Sequence, residues 1–377
     1  MQYQFIQQQT ELDAFIANLS ESQVLAIDTE FMRRRTLYPE IALIQVYDGE
    51  HLALIDPLSE LDFSGLWHLL RDEQIVKVLH SPSEDIEVFQ KFAGFVPTPL
   101  FDTQFALQLL GEGNCVGFAN MVKSMLDIEL DKSMSRTDWL KRPLQASQLE
   151  YAAADVFYLL PCYQTISKKI AEKGLSHIVT CESQLIAQKR AFRTPDHYLY
   201  LSIKNVWQLK PRDLAVLRTL ASWRQNKAEK KNLALNFVLK EHNMVEIAKR
   251  RPSSLNSLRN VPGVEPMEVN RSGKEILACI EAGKAVPESE LPARVQRLID
   301  YPGYKGAAKE IKQAIAEVAR EHDIPVDVFA SKKQINQVIG WNWKLDEQQR
   351  KTFLTPDLFM GWRHEILKDA LSKWHIA

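Results

Sequence analysis

A chain of 377 residues is too long for one ordinary core, so two or three domains are expected, each large enough to bury an interior. With 45% apolar and 25% charged residues and a formal net charge of −1, its composition is that of a soluble globular protein. No run of 18 apolar residues offers a membrane span, and the opening MQYQFIQQQT lacks the charged start and apolar core of a signal peptide, so a cytoplasmic protein is expected.

The first part of the chain reads as strands and then as mixed elements. VLAIDTEF (24–31), IALIQVYD (41–48) and HLALIDP (51–57) are β-rich runs joined by turn signals at Pro39 and at DGE (48–50). Such short connections predict an antiparallel meander. A helical stretch near 63–71 precedes another strand, IVKVLH (75–80), and then SPSEDIEVFQKF. Ser81 as N-cap, Pro82 at the first helical position and Glu84 three residues after the cap predict a helix opened by a capping box. Strands followed by alternating helix and strand describe a mixed α/β domain. From about 146 to 172 the pattern is helical, with Leu149, Ala152, Val156, Leu159 and Leu160 at helical spacing.

Beyond Gly174 strand signals almost vanish. A boundary near 195–210, around TPDHYLY and LKPRD, gives a first domain over 1–195. The helical remainder carries a degenerate repeat of about 90 residues: NFVLKEHNMVEIAKR (236–250) resembles IPVDVFASKKQINQVIG (324–340), and GKEILACI (273–280) resembles GWRHEILKDAL (361–371). Two small all-α domains follow, over 210–290 and 293–377. Cys115, Cys162, Cys181 and Cys279 are far apart without a C-x-x-C pair, so reduced thiols are expected rather than a disulfide framework or a zinc site. From Tyr200 to Arg251 twelve Lys or Arg stand against four acids, an excess that suits contact with a polyanion, although most such runs are solvated helix faces.

The chemistry is carried by acids. On a strand, residues two apart share a face, so Asp28 and Glu30 project together beside Val24 and Ala26 while Thr29 points away. Two carboxylates ending an apolar strand repel each other and resist desolvation unless a cation lies between them; otherwise they are acids at a frayed strand end. Asp85 falls in the first turn of the helix after IVKVLH, a junction where such sheets present functional groups, and read alone it serves equally as a helix-dipole partner. Tyr151 and Asp155 are four apart on a helix and stack on one face; Ala152, Ala153 and Ala154 between them keep the helix thin enough for close approach. A plain core helix with a Tyr–Asp hydrogen bond would show the same spacing. Together the four acids form a hard-oxygen ligand set without His or Cys, which selects Mg2+ or Mn2+ over zinc, and two such ions about 4 Å apart would clamp the attacking and leaving oxygens of a phosphodiester. Tyr151, with an ordinary phenol pKa of about 10, is no strong base at neutral pH and suits the orientation of a water.

DTEF with Asp28 and Glu30, HSPSEDIEVF with Asp85, and YAAADV with Tyr151 and Asp155 resemble, in order, the three exonuclease motifs of the DEDD superfamily in its tyrosine-containing branch. Over essentially its full length, including NFVL, PGY and SKKQINQVI, the chain resembles the ribonuclease D family. The resemblance implies an RNase H-like α/β exonuclease domain followed by two all-α HRDC (helicase and RNase D, C-terminal) domains, which agrees with the repeat. It implies a 3′→5′ exoribonuclease that releases nucleoside 5′-monophosphates and acts in tRNA 3′-end processing. It also implies Asp28, Glu30, Asp85 and Asp155 as ligands of two divalent cations, Mg2+ or Mn2+, with Tyr151 positioning the nucleophilic water. All five positions match without substitution.

Further candidates are Arg33, Arg136 and Trp139, for phosphate or base contact, and Asp102, which either supports the metal ligands or caps the helix after it. His80 reads as a strand-end residue. The expected partner is RNA, especially tRNA precursors with 3′ extensions, bound by a monomer with no membrane contact and no obligatory protein partner. A DNA 3′→5′ exonuclease would share the same acids, and a non-catalytic RNA-binding protein would be marked by loss of one of them.

Overall fold

The structure, a computed structural model, describes residues 1–131 and 133–374; the last three residues of the domain expected at 293–377 lie outside them. The first half folds as β1 (Gln4–Ile6), α1 (Gln9–Asn18), β2 (Val24–Met32), β3 (Glu40–Tyr47), β4 (Leu52–Ile55), α2 (Ser64–Arg71), β5 (Val76–Leu79), α3 (Ser83–Phe92), β6 (Leu100–Asp102), α4 (Thr103–Leu109), α5 (Phe118–Leu126), α6 (Ala146–Glu172) and α7 (Ser176–Ala191). The six strands form one mixed sheet in the order β1-β4-β3-β2-β5-β6. β2, β3 and β4 are the antiparallel meander that their short connections predict, and β5 and β6 add in parallel to the β2 side. β1 pairs in parallel with β4; at three residues it is too short to show a strand period in the sequence.

The sheet is covered on both faces. Leu25 and Ile27 of β2 point into a core shared with α1, α2 and α3, whereas Ala26 points into a second core with α6. The long β3 run IALIQVY is buried from Ile41 to Val46, as a strand covered on both sides must be. A bulge shifts the β2–β3 register between Glu30 and Phe31, so that Glu30 pairs with Leu43 but Phe31 with Ile41. The skipped residue, Ala42, turns its carbonyl to the Arg142 guanidinium at 2.7 Å.

The helix after β5 departs from the sequence expectation. It begins at Ser83, and Pro82 rather than Ser81 flanks it. Ser81 sits at φ +59, outside the extended conformation of an N-cap, and its N–H donates to the Asp102 carboxylate at 3.0 Å. The S-x-x-E pattern is therefore not a capping box here: a long-range partner on β6 claims the turn.

The second half is helical: α8 (Pro211–Lys231), α9 (Leu235–Val238), α10 (Glu241–Arg250), α11 (Leu255–Arg259), α12 (Pro266–Ala285), α13 (Tyr304–Glu321), α14 (Val326–Phe329), α15 (Lys332–Lys344), α16 (Glu347–Arg350) and α17 (Gly361–Leu367). The repeat is visible in backbone detail. α8 and α13 each lead through a left-handed residue, Asn232 or Asp323, to a one-turn helix that stops at an extended residue, Leu239 (φ −163) or Ala330 (φ −152). The two units differ in their cores. Residues 200–280 build one of their own, while α13, α15 and α17 share the core of the α6 face, with Trp362 of α17 set 6.4 Å from Phe105 of α4. Among the described residues no helix is long and apolar enough to cross a membrane.

Candidate active site

β2 anchors the first two acids. Asp28 and Glu30 stand on the face that carries Ala26, where α6 crosses with Ala152 and Ala153 fully buried against the sheet. The absence of bulk at these two positions lets Asp155 close on the strand. One oxygen each of Asp28, Glu30 and Asp155 lie within 4.8 Å of one another. Asp85 arrives from the opposite side, where α3 packs, and accepts a 2.5 Å hydrogen bond from the Thr29 hydroxyl. Its charge acts on both Asp28 and Glu30, but it is not one of the three gathered carboxylates. Thr29, which the strand period turns away from its two neighbours, is thus the residue that ties the fourth acid to the strand.

Electrostatics shows what this arrangement lacks. Burial, then the charges of Asp85, Asp155 and Glu30, raises the Asp28 carboxyl well above the usual carboxylate range. Glu30 is pushed up to about 9 by burial and then by Asp155 and Asp85. Burial lifts Asp155 to about 7, against the hydrogen bond from Tyr151, and Asp85 to about 6, against the one from Thr29. Among the described residues the charges that act on Asp28 and Glu30 are those of other carboxylates, so the group calls for a cation. Clustered hard oxygens without nitrogen or sulfur ligands fit a divalent ion such as Mg2+ or Mn2+. The Tyr151 phenol is raised above its ordinary value by burial and by Asp155, Glu30 and Asp28, which keeps it a donor and excludes it as a base at neutral pH.

Asp28, Tyr151 and Asp155 open onto a cavity of about 280 Å³ whose walls also include His80, Phe118 and Ser135. His80 is more than the end of a strand. Its Nε2 donates to the Val116 carbonyl at 2.9 Å and its Nδ1 meets the Thr103 hydroxyl at 2.9 Å. Burial lowers its pKa to about 4, so a neutral ring pins the 116–118 segment to the cavity wall. The available signal was its position, at the C-terminal end of a strand beside an acid-bearing helix, where parallel strands present functional groups.

The secondary candidates fare differently. Asp102 caps α4 through the Gln104 N–H at 2.9 Å and also holds the Ser81 N–H. It therefore fixes the turn that leads to Asp85, and burial lifts its pKa to about 6. Trp139 offers no face to a base: it is 1% exposed and packs 6.1 Å from the Tyr151 ring, where it supports the tyrosine. Arg33 pairs with Glu87 at 2.8 Å, so a phosphate would have to displace that carboxylate. Arg136 is exposed in the loop beside Ser135. Seven of the twelve basic residues of the 200–251 stretch stand in ion pairs. Arg212, Lys227 and Lys240 pair with Glu288, Glu275 and Glu265, and Arg224, Lys249, Arg250 and Arg251 with Glu241, Glu246 and Asp213. Three of those acids come from outside the stretch, which a local charge count does not see.

Comparison with known proteins agrees with this geometry. The family described as 3′-5′ exonuclease matches residues 3–171, the HRDC domain matches 213–280, and the C-terminal HRDC domain of ribonuclease D matches 302–371. Ribonuclease D of Escherichia coli (strain K12) is 42% identical over 371 residues, 98% of each chain. Ribonuclease D of Cronobacter turicensis is 42% identical over 360 residues, 96% of each chain. The crystal structure of E. coli RNase D, described as an exoribonuclease involved in structured RNA processing, superposes with a TM-score of 0.92 and covers 99% of this chain and 98% of that one.

Proposed function

The chain belongs to the ribonuclease D family of 3′→5′ exoribonucleases with HRDC domains, and from that premise we propose that it trims the 3′ ends of tRNA precursors by two-metal hydrolysis. The observation that carries the reading is the convergence of Asp28, Glu30 and Asp155 within 4.8 Å, where the charges acting on Asp28 and Glu30 among the described residues are those of other carboxylates. In this proposal Asp28, Glu30, Asp85 and Asp155 hold two divalent cations, Mg2+ or Mn2+. Bound there, the cations would acidify a water and take up the charge on the attacking and leaving oxygens of the scissile phosphodiester. Tyr151, protonated, steadied by Trp139 and donating to Asp155, accepts a hydrogen bond that orients the attacking water. Asp102 and His80 keep the turn before Asp85 and the wall at Val116 in place. Arg136 and, after release from Glu87, Arg33 contact phosphate.

The division of labour proposed is an exonuclease domain over 1–195 and HRDC domains over 210–290 and 293–377, acting as a cytoplasmic monomer without an obligatory protein partner. Phosphate contacts give affinity without sequence information, which suits an enzyme that meets many tRNAs. The deciding experiment incubates a 3′-extended tRNA with Mg2+, with Mn2+ and with chelator, beside matched RNA and DNA oligonucleotides. The expected result is metal-dependent release of nucleoside 5′-monophosphates from RNA. Hydrolysis that persists in chelator, or that is faster on DNA, would overturn the reading.

A further inference from the structure

The sheet face that carries Asp28 holds a polar side chain that the reaction does not yet use. Gln45 of β3 lies directly opposite Asp28 in the β2–β3 register. Side chains so paired stand on one face with Cβ atoms about 4.5–5.5 Å apart. Gln45 is 0% exposed, and neither its Nε2 nor its Oε1 has a hydrogen-bond partner among the described residues. Buried amides are normally paired, because an unmet donor or acceptor in a dry core destabilises the fold. The surroundings narrow the choice of partner. Across the sheet on its other side stands Leu54 of β4, and the α6 residues buried in that core include Ala152, Ala153 and Val156, all apolar. Of its two register partners on the neighbouring strands, Leu54 and Asp28, the polar one is Asp28.

We propose that Gln45 is a positioning residue for Asp28: while one oxygen of the carboxylate holds a cation, the Gln45 amide N–H donates to the other and fixes the carboxylate plane. This inference rests on the reading of Asp28 as a metal ligand. Gln45 itself touches neither substrate nor metal. A ligand carboxylate without such a partner can rotate, and the groups that restrain metal ligands set affinity by tenfold to hundredfold. An apolar side chain of similar volume would pack at this position without an unmet amide. Fold stability and metal affinity should therefore move in opposite directions on substitution, a pattern that a packing role alone does not produce.

The test measures Mn2+ binding to the full chain by electron paramagnetic resonance, with thermal melting in chelator, for the wild type and for Gln45→Leu, Gln45→Met and Asp28→Asn. Both Gln45 variants are expected to bind Mn2+ about tenfold more weakly or worse, with a metal-free Tm equal to or above that of the wild type. Asp28→Asn is expected to bind more weakly still. Wild-type Mn2+ affinity in both Gln45 variants would overturn the proposal. So would failure of both to fold, since an amide without partners is not what a fold depends on. Failure of the metal reading has a different signature, in which the wild type and Asp28→Asn bind Mn2+ alike.

Discussion

Glu30 and Asp155 hold protons that ordinary carboxylates lose, and this links the protonation of the acidic group to stability. Their folded pKa values, about 9 and about 7, lie above the ordinary 4.5 and 3.8, so the native state binds more protons than the unfolded chain between those limits. Their contribution is complete below about pH 4 and is lost as pH rises through 7 and then 9. In chelator the melting temperature should fall from pH 5 to pH 9, and Mg2+ should flatten that decline by supplying the missing charge. A melting profile in chelator that stays level across the range would show that these acids ionise normally. Asp155→Asn removes a charge at nearly constant volume, so hydrolysis should drop to background while the metal-free protein melts no lower. Activity near that of the wild type in this variant would remove Asp155 from the metal set. Tyr151→Phe should lower turnover by about 10²-fold, the scale of a misplaced reacting group, with RNA affinity unchanged. An unchanged rate would free the hydroxyl of any part in placing the water.

Among the elements, the β2–β3 bulge depends on one arginine in the loop before α6. Arg142 reaches the Ala42 carbonyl at 2.7 Å, the Trp139 carbonyl at 2.7 Å and both oxygens of Asp56, at 2.7 and 2.6 Å. Asp56 is 2% exposed; although burial alone would raise its pKa, hydrogen bonds from Arg142, Leu58 and Gln7 leave it lowered. Removing one partner of a buried pair costs about 3–5 kcal/mol, because the other charge remains enclosed. Arg142→Met should therefore lower the Tm by on the order of 10 °C and reduce turnover, since the bulge lies between Glu30 and Phe31. A melting temperature within a degree or two of wild type would show that the clamp is dispensable. No sequence signal marked Arg142, because the acceptors that hold it to the sheet, on Asp56 and Ala42, lie 86 and 100 residues away. Ser81 teaches the same lesson in reverse: its pattern was legible and local, and a distant carboxylate overrode it.

At the scale of the whole molecule the two helical units are attached in different ways. The second is part of the exonuclease core: Glu182 of α7, 8% exposed, accepts from the Trp362 Nε1 at 2.8 Å and from Arg363, which also donates to the Phe329 and Val328 carbonyls. Removal of 293–377 would leave that carboxylate and an apolar face uncovered. The truncated chain should lose cooperative melting, and a sharp, wild-type-like transition would contradict the shared core. The first unit instead grips the loop that leaves β2. The Ala234 N–H donates to the Arg35 carbonyl at 2.7 Å, the Tyr38 N–H donates to the Asn232 side chain at 3.2 Å, and the Arg35 guanidinium lies 5.8 Å from the Phe237 ring centre. Arg33 and Arg34 in the same loop pair with Glu87 and Asp138. Phe237→Ala should leave the Tm within about 1 °C, as a partly exposed side chain, yet weaken binding of long RNA by loosening this loop. Equal affinity for long RNA would confine the contact to architecture.

The sequence by itself determined the parts that depend on local period and chemistry. The meander, the helix 146–172, the repeat and the shared face of Asp28 and Glu30 all follow from spacings of two, four or about ninety residues. Side-chain chemistry alone made the acidic group a set of hard oxygens. Tertiary structure decided what each polar group meets. It turned Trp139 inward beneath Tyr151, paired Arg212, Lys227 and Lys240 of the 200–251 stretch with acids from elsewhere, tied Asp85 to Thr29 and enclosed Gln45 opposite Asp28. Those outcomes depend on contacts between residues far apart in the chain, and no periodicity encodes them.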